Sequence, residues 1–232
     1  MPNILITGSN RGIGLELVRQ YAEADWRVYA TCRHPAEAHD LQRLARDHGQ
    51  ISIHRLDVSV VEDIKSIGWE LENVPLDILY NNAGVYLEDD YLSPAPGHIR
   101  YDLWLRTLEV NSLGAVRVSE ALLDNVAASD MRLITAMTSH MGSIEDITVP
   151  GSYYYRSSKA ALNAAMRGFA EALRERGIGV LLLHPGGVQT RMGPSDGITP
   201  EQSVHGLRRV IDAFTPEQTG HFLRYDGEPM PW

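Results

Sequence analysis

The sequence predicts an α/β protein, built as a single doubly wound domain over residues 1–232. Short runs rich in Ile, Val and Leu recur along the chain, and amphipathic stretches lie between them. The runs are apolar throughout, which is typical of strands that are buried on both faces. We therefore expect a mostly parallel, seven-stranded sheet with helices on both faces. No repeat, low-complexity tract or linker divides the chain.

The expected strands are the apolar runs themselves. NILIT is the first and RVYATC the second, and both are rich in residues that buried strands favour. ISIHRLDV, LDILYNNAG, RLITAMTS and GVLLLHPG follow, and HFLRY ends the series. The strands are predicted over residues 3–7, 27–32, 51–58, 76–84, 132–139, 179–186 and 221–225.

The expected helices lie between these strands. The first has Leu15, Val18 and Tyr21 at helical spacing. The second has Pro35 near its first turn and Gly49 at its end, which are typical helix boundaries. The helices are predicted over residues 14–24, 35–49, 61–71, 101–127, 154–177 and 200–214.

The composition argues against several classes of function. Lys plus Arg number 21 and Asp plus Glu 30, and the net charge of −9 disfavours nucleic acids and anionic membranes. One cysteine, Cys32, allows no intrachain disulfide or Cys-rich metal cluster, and the nine histidines form no HExxH motif. The sequence has no run of 18 apolar residues and no signal-peptide pattern. We expect no metal, nucleic-acid or membrane partner, and a reducing, cytoplasmic setting.

A glycine-rich turn, TGSNRGIG at residues 7–14, joins the first strand to the first helix. Glycines let the backbone approach a ligand, and a helix N-terminus offers free N–H groups to a pyrophosphate. The spacing of Gly8, Gly12 and Gly14 is GxxxGxG instead of the more familiar GxGxxG. A tight turn that needs glycines would give the same pattern, so the motif alone indicates a phosphate site only weakly.

The end of the second strand indicates which dinucleotide binds. NAD sites often have an acidic residue there, which accepts hydrogen bonds from the ribose. Here Cys32 takes that place, Arg33 follows, and Arg11 lies within the glycine turn. Two guanidinium groups without a carboxylate suit a 2′-phosphate, so we predict NADP(H) over NAD(H). The alternative is that both arginines are simply solvated.

The stretch SYYYRSSKAALNA contains three consecutive tyrosines, of which one has a suitable lysine partner. Tyr155 and Lys159 are four residues apart and share one face of a helix. Tyr153 and Tyr154 point away from the lysine, which indicates packing or pocket-wall roles. A nearby cation lowers a phenol pKa, and such a tyrosine exchanges protons with carbonyls or alcohols. An ordinary helical pair is the alternative.

Several motifs taken together resemble the short-chain dehydrogenase/reductase family, across essentially the whole chain and in the family's order. They are TGSNRGIG, NNAG at residues 81–84, Asn111 in EVNSLGA, Ser139 in MTSHMGS, YRSSK, and PGGVQT at residues 185–190. RSSKAALN, ITPEQS and YDGEPMPW further resemble the branch of sniffer-type carbonyl reductases and C-factor-like proteins. The resemblance implies a Rossmann fold.

The resemblance also implies roles for four residues. Tyr155 would be the general acid/base, and Lys159 would lower its pKa and bind the nicotinamide ribose. Ser139 would donate a hydrogen bond to the substrate carbonyl. Asn111 would join a water relay to the lysine, although a locally bonded asparagine within a helix is the alternative.

The cofactor site follows from the same resemblance. Asp57 would meet the adenine amino group, and Thr190 would hold the carboxamide, although either could be an ordinary turn or cap residue. The implied cofactor-binding residues are Gly8, Asn10, Arg11, Gly12, Ile13, Gly14, Arg33, Asp57, Val58, Asn82, Ala83, Gly84, Tyr155, Lys159, Pro185, Gly186, Val188 and Thr190.

The predicted function is NADPH-dependent reduction of a small aldehyde or ketone. The alternatives are a dinucleotide-binding sensor or signalling protein of C-factor type with little turnover, and an NAD-dependent alcohol dehydrogenase. Small residues along KAALNAAMRGFAEAL favour a helix-mediated homodimer or homotetramer.

Other residues near the expected site leave alternatives open. His140 could face the substrate, although we expect it to face solvent. Acidic loops disfavour strongly anionic substrates, unless their side chains are merely solvated. The acidic residues are Glu88, Asp89, Asp90, Glu145 and Asp146.

Overall fold

The computed structural model describes residues 1–90 and 92–232 of the chain and contains a seven-stranded sheet. Its strands are β1 (Asn3–Ile6), β2 (Arg27–Cys32), β3 (Ile51–Arg55), β4 (Ile78–Asn81), β5 (Leu133–Met137), β6 (Gly179–His184) and β7 (Phe222–Arg224). All neighbours pair in parallel in the order β3-β2-β1-β4-β5-β6-β7, which confirms the predicted doubly wound sheet. The direction in which successive strands are added to the sheet reverses between β1 and β4, and ligands bind outside the carboxyl ends of strands at such a point.

Helices cover both faces of this sheet. They are α1 (Gly12–Glu23), α2 (His39–Asp47), α3 (Val61–Glu70), α4 (Tyr101–Leu108), α5 (Gly114–Ala121), α6 (Leu123–Ala127), α7 (Tyr153–Leu173) and α8 (Pro200–Asp212). Consecutive strand residues point to opposite faces. Ile78 accordingly joins a core layer with α1, α2 and α8, whereas Leu79 joins one with α3, α5 and α7.

Two predicted helices are interrupted in the structure. The helix expected at 101–127 contains a π-helical segment, Glu109–Leu113, between α4 and α5. The chain is tightly packed there, because a β-carbon on Gly114 would lie 2.7 Å from a methyl group of Val58. The helix expected at 35–49 is a 3₁₀ turn followed by α2, because the backbone at Ala38 leaves the helical region (φ −86°, ψ 61°). Single π-helical turns such as Glu109–Leu113 are frequent at functional sites.

Four strands end two or three residues earlier than predicted, and the residues that follow them contribute to the candidate site. The predicted segments 51–58, 76–84, 132–139 and 179–186 leave the sheet two or three residues early. The residues released include eight of the candidate residues, namely Asp57, Val58, Asn82, Ala83, Gly84, Ser139, Pro185 and Gly186. Within the described ranges, no helix is long and apolar enough to cross a membrane. The same ranges contain no group of three or more His, Cys, Asp or Glu that could hold a metal.

Candidate active site

The turn between β1 and α1 has a shape that requires its glycines. Gly8 and Gly12 have φ of +70° and +54°, in the left-handed region that favours glycine. A β-carbon on Gly8 would lie 2.9 Å from the α-carbon of Ala83, and one on Gly14 would lie 2.1 Å from the main-chain oxygen of Gly8. The side chain of Arg11, which precedes α1, makes no capping hydrogen bond to the first turn of that helix. The turn therefore presents backbone donors to an anion.

The segment after β4 holds this turn in place. The Asn82 side-chain amide donates to the main-chain oxygens of Thr7 and Gly8, at 2.8 and 3.2 Å. The Thr7 hydroxyl accepts the N–H groups of Asn82 and Ala83, at 3.0 and 2.9 Å. The NNAG motif is thus a brace for the glycine turn.

The turn PGGVQT, residues 185–190, meets the glycine turn from another side. The γ-methyl group of Thr190 lies 3.4 Å from where a β-carbon on Gly12 would stand. Gly186 has φ of +85°, and Val188 is buried. Three loops from distant parts of the sequence therefore surround the N-terminus of α1.

Two exposed arginines and a carboxylate border this region, with Arg11 in the glycine turn, Arg33 after β2 and Asp57 after β3. Arg11 and Arg33 are exposed, and within the described residues neither forms an ion pair. Burial acts to raise the pKa of Asp57, but hydrogen bonds from Ser59 and the charges of Arg106 and Arg33 hold that pKa below its usual value. Arg33 is thus close enough to Asp57 to act on its charge.

The other predicted cofactor residues lie beside these loops. Asn10 is exposed, and Ile13 is partly buried against the core. Val58 is buried against Gly114. The main-chain oxygen of Pro185 accepts a serine hydroxyl of α8 at 2.7 Å.

Helix α7 begins at the tyrosine triplet and carries the Tyr–Lys pair. The Lys159 Nζ atom lies 5.6 Å from the centre of the Tyr155 ring and donates to the main-chain oxygen of Met137 at 2.8 Å. The Tyr155 hydroxyl is hydrogen-bonded to Ser139, which follows β5 directly. The structure therefore brings Ser139, Tyr155 and Lys159 together at the carboxyl end of β5.

Asn111 lies on the π-helical segment and reaches the same place. Its side chain accepts the Val85 N–H at 2.7 Å and donates to the Val85 carbonyl at 2.9 Å and the Ser158 hydroxyl at 3.0 Å. A β-carbon on Gly84 would lie 3.3 Å from Asn111 Oδ1 and 3.7 Å from Lys159 Nζ. Asn111 therefore faces the lysine across Gly84, and its partners are distant in sequence, contrary to the alternative of a locally bonded asparagine.

The protonation of the pair differs from the expectation. Burial raises the pKa of Tyr155 to about 12, against the effect of the Ser139 hydrogen bond, and Tyr86 and Glu88 add to the rise. Burial lowers the pKa of Lys159 to about 8. The expected lowering of the phenol pKa is thus wrong for this arrangement, because desolvation of the phenolate is the largest influence on that pKa. At neutral pH the phenol keeps its proton and the lysine its charge.

The neighbouring tyrosines have structural surroundings. Tyr154 is buried, and its hydroxyl accepts the Arg100 N–H at 2.6 Å. Its ring packs 5.7 Å from that of Trp104. Tyr153 is half-buried, and its carbonyl accepts a serine hydroxyl one turn later. These contacts agree with the packing roles expected for both.

Sequence reasoning missed two residues beside the phenol. The Tyr86 ring centre lies 5.2 Å from that of Tyr155. Glu88 is only 8% exposed, and its Oε1 accepts the backbone N–H of Tyr155 at 2.8 Å. Asp89, Asp90 and the acidic residues after Ser143 are exposed. Glu88 therefore differs from the solvated loop acids with which it was grouped.

His140 departs from the expected solvent-facing position. Its ring is half-buried and lies 5.0 Å from the ring of His184. Burial lowers the pKa of His140, and it lowers that of His184 to about 3. Both imidazoles are therefore neutral at physiological pH.

The last residues of the chain contact the loop after Ser139. The main-chain oxygen of Trp232 accepts the N–H groups of Ile144 and Glu145, at 3.0 and 3.1 Å. It also accepts the Ser143 hydroxyl at 3.1 Å, and the Trp232 ring packs on Phe222. The tail therefore anchors the loop 143–145 next to the candidate site.

Comparisons with known proteins agree with this arrangement. The family model described as short chain dehydrogenase matches residues 2–199. The C-signal protein of Myxococcus xanthus is 44% identical over 159 residues, which cover 68% of this chain and 93% of that protein.

Solved structures extend the comparison to the whole chain. Carbonyl reductase Sniffer of D. melanogaster has a TM-score of 0.92 and 32% identity, with full coverage of both chains. The NADPH-bound carbonyl reductase from chicken fatty liver has a TM-score of 0.90 and 29% identity, covering 100% of this chain and 99% of that one. The family match, the relatives and the geometry agree with the motif-based prediction. The chain therefore belongs to the short-chain dehydrogenase/reductase family of oxidoreductases, and within it is similar to the sniffer-type and C-signal proteins.

Proposed function

We propose that residues 1–232 form one catalytic domain that reduces a small aldehyde or ketone with NADP(H), in a reducing, cytoplasmic setting. The observation that carries the proposal is the protonated Tyr155 phenol, hydrogen-bonded to Ser139 and placed beside the Lys159 ammonium. All three side chains lie at the carboxyl edge of a sheet whose β1–α1 turn suits a pyrophosphate.

The residues present fit NADP(H). The glycine turn lies at the N-terminus of α1, where the preceding residue, Arg11, makes no side-chain capping bond to the N–H groups that would bind a pyrophosphate. Arg11 and Arg33 are exposed guanidinium groups suited to a 2′-phosphate. The solved chicken carbonyl reductase holds NADPH. When bound, this cofactor would supply the hydride that reduces the carbonyl carbon.

The chain's own side chains handle the carbonyl oxygen. The hydroxyls of Ser139 and Tyr155 donate to it, which stabilises negative charge as it develops. Tyr155 then passes its proton to the oxygen and becomes a phenolate. Lys159 stabilises that phenolate, and Asn111, which faces the lysine across Gly84, would join it to a water relay.

The test compares two neighbouring tyrosines. Tyr155→Phe removes only the hydroxyl and should lower kcat by about 10²-fold or more while leaving NADPH affinity unchanged. Tyr153→Phe, on the same helical turn, is the matched control and should retain activity. The rate at which NADPH absorbance is lost with a panel of simple carbonyls measures the activity of both variants. Equal rates for Tyr155→Phe and wild type would refute the proposal.

The match to C-signal favours a second candidate, a dinucleotide-binding signalling protein with little turnover. It predicts tight NADPH binding and no reduction across a broad carbonyl panel. A third reading, NAD-dependent alcohol oxidation, predicts turnover with NAD and an alcohol that exceeds turnover with NADPH and a carbonyl. The same panel therefore separates the three.

We also propose that the protein forms homodimers or homotetramers through α7. Small side chains three or four residues apart are exposed along α7. Helix α4 exposes two large apolar side chains, Tyr101 and Leu105, each with 68% of its surface accessible. The exposed small residues are Ala161, Ala164, Gly168 and Ala172. Light scattering after size exclusion should give a multiple of 25.8 kDa, which Ala164→Arg reduces to one chain. A monomeric wild type would contradict this.

A further inference from the structure

Glu88 has a feature that the proposed reaction does not use. The residue lies in the segment after β4 and is 8% exposed. Its Oε1 accepts the backbone N–H of Tyr155 at 2.8 Å. Its Oε2 is buried and, among the described residues, has no hydrogen-bond partner. A buried carboxylate oxygen without a partner is costly, so a specific role is expected to offset that cost.

Helix α7 lacks a cap from its own N-terminal residue. Ser152 precedes the helix with φ of +50° and makes no side-chain capping bond. Its hydroxyl is instead hydrogen-bonded to the Tyr86 hydroxyl at 2.8 Å. Glu88 supplies the missing oxygen to the third residue of the helix, and a carboxylate at a helix N-terminus is also favoured by the helix dipole.

We propose that Glu88 is a positioning residue that caps the helix at Tyr155 and keeps a negative charge beside the proton-donating phenol. One carboxylate then fixes the backbone of the acid/base residue and biases the phenol toward its protonated form. The inference rests on the proposed function, because it assigns Glu88 to the proton transfer by Tyr155.

The phenol is faced by groups from three elements. Tyr86 and Glu88 come from the segment after β4, Ser139 follows β5, and Lys159 lies on α7. Both Tyr86 and Glu88 disfavour the phenolate, whereas the Ser139 hydrogen bond favours it. Neutralising Glu88 should therefore make the phenol more acidic.

Two variants separate the hydrogen bond from the charge. Glu88→Gln keeps an acceptor oxygen and removes the charge, whereas Glu88→Ala removes both. Asp89→Asn neutralises an exposed acid next along the chain and is the control. We would measure the pH profile of carbonyl reduction, the affinity for NADPH, and the titration of Tyr155 by ultraviolet difference between each variant and its Tyr155→Phe double variant.

The expected results differ between the variants. Glu88→Gln should shift the titration of the Tyr155 phenol to lower pH by about 0.5 to 1 unit. Glu88→Ala should also lower kcat about tenfold, because the phenol is less well placed, with NADPH affinity unchanged. Asp89→Asn should match the wild type.

An unshifted titration in Glu88→Gln would overturn the proposal, as would a wild-type kcat in Glu88→Ala. If Glu88→Ala does not fold, Glu88→Gln decides. Absence of carbonyl turnover in the wild type would count against the proposed function alone, because the phenol titration still reports the effect of Glu88.

Discussion

Removing the buried cation of Lys159 should disable proton transfer by Tyr155. Lys159 is 3% exposed, and its Nζ lies 5.6 Å from the centre of the Tyr155 ring. Two opposite unit charges at that separation attract by about 3 kcal/mol at an effective dielectric constant of about 20. Because this attraction forms only when the phenol has given up its proton, its loss raises the barrier. Lys159→Met should therefore lower kcat roughly 100-fold.

The assay is carbonyl reduction at saturating NADPH, with NADPH affinity measured separately by fluorescence. Lys65→Met, which neutralises an exposed lysine on α3, is the control and should leave kcat unchanged. In the wild type, activity should fall as the pH rises through about 8, where Lys159 loses its charge. This fall in activity near pH 8 should be absent from Lys159→Met. A folded Lys159→Met enzyme with wild-type kcat would refute the electrostatic argument.

Three other predictions concern the cofactor loops and the tail. Arg33→Asp should weaken NADPH binding about tenfold or more and favour NADH. The control Arg27→Asp, on the exposed start of β2, should change neither affinity. Unchanged NADPH affinity in Arg33→Asp would contradict the assignment of Arg33 to the 2′-phosphate. Asn82→Ala loses two hydrogen bonds to the glycine turn and should cost about 1–3 kcal/mol in stability, measured by denaturant unfolding, and also weaken NADPH binding. Trp232→Ala removes the ring packing on Phe222 that holds the tail, whose main-chain oxygen anchors the loop 143–145, and should raise KM for the carbonyl at unchanged NADPH affinity; an unchanged KM would exclude that role.

The sheet and the glycine turn were predictable because their signals are local. Apolar runs mark the strands, and the glycines after β1 mark a turn that no other residue fits. The π-helical segment within the helix expected at 101–127 was not predictable, because the helical pattern of the sequence continues through it. Helix propensity along a sequence does not report where tertiary packing overrides it.

In the candidate site too, features with a local signal were predictable and features that depend on tertiary packing were not. The spacing of Tyr155 and Lys159 predicts that they share a helix face, and they do. The predicted direction of the shift in the phenol pKa was wrong. The spacing of Tyr155 and Lys159 indicates that they are close, whereas the pKa also depends on burial by segments that are distant in sequence. Glu88 resembles its exposed neighbour Asp89 in sequence, and only the packing of the segment after β4 against α7 distinguishes them.

The most direct measurement is a crystal structure with NADPH and a slowly reduced ketone bound. The account predicts that the ketone oxygen lies within about 2.6–3.2 Å of both the Tyr155 and Ser139 hydroxyls. A ketone bound with its oxygen away from Tyr155, or a phenol turned out of the site, would contradict it.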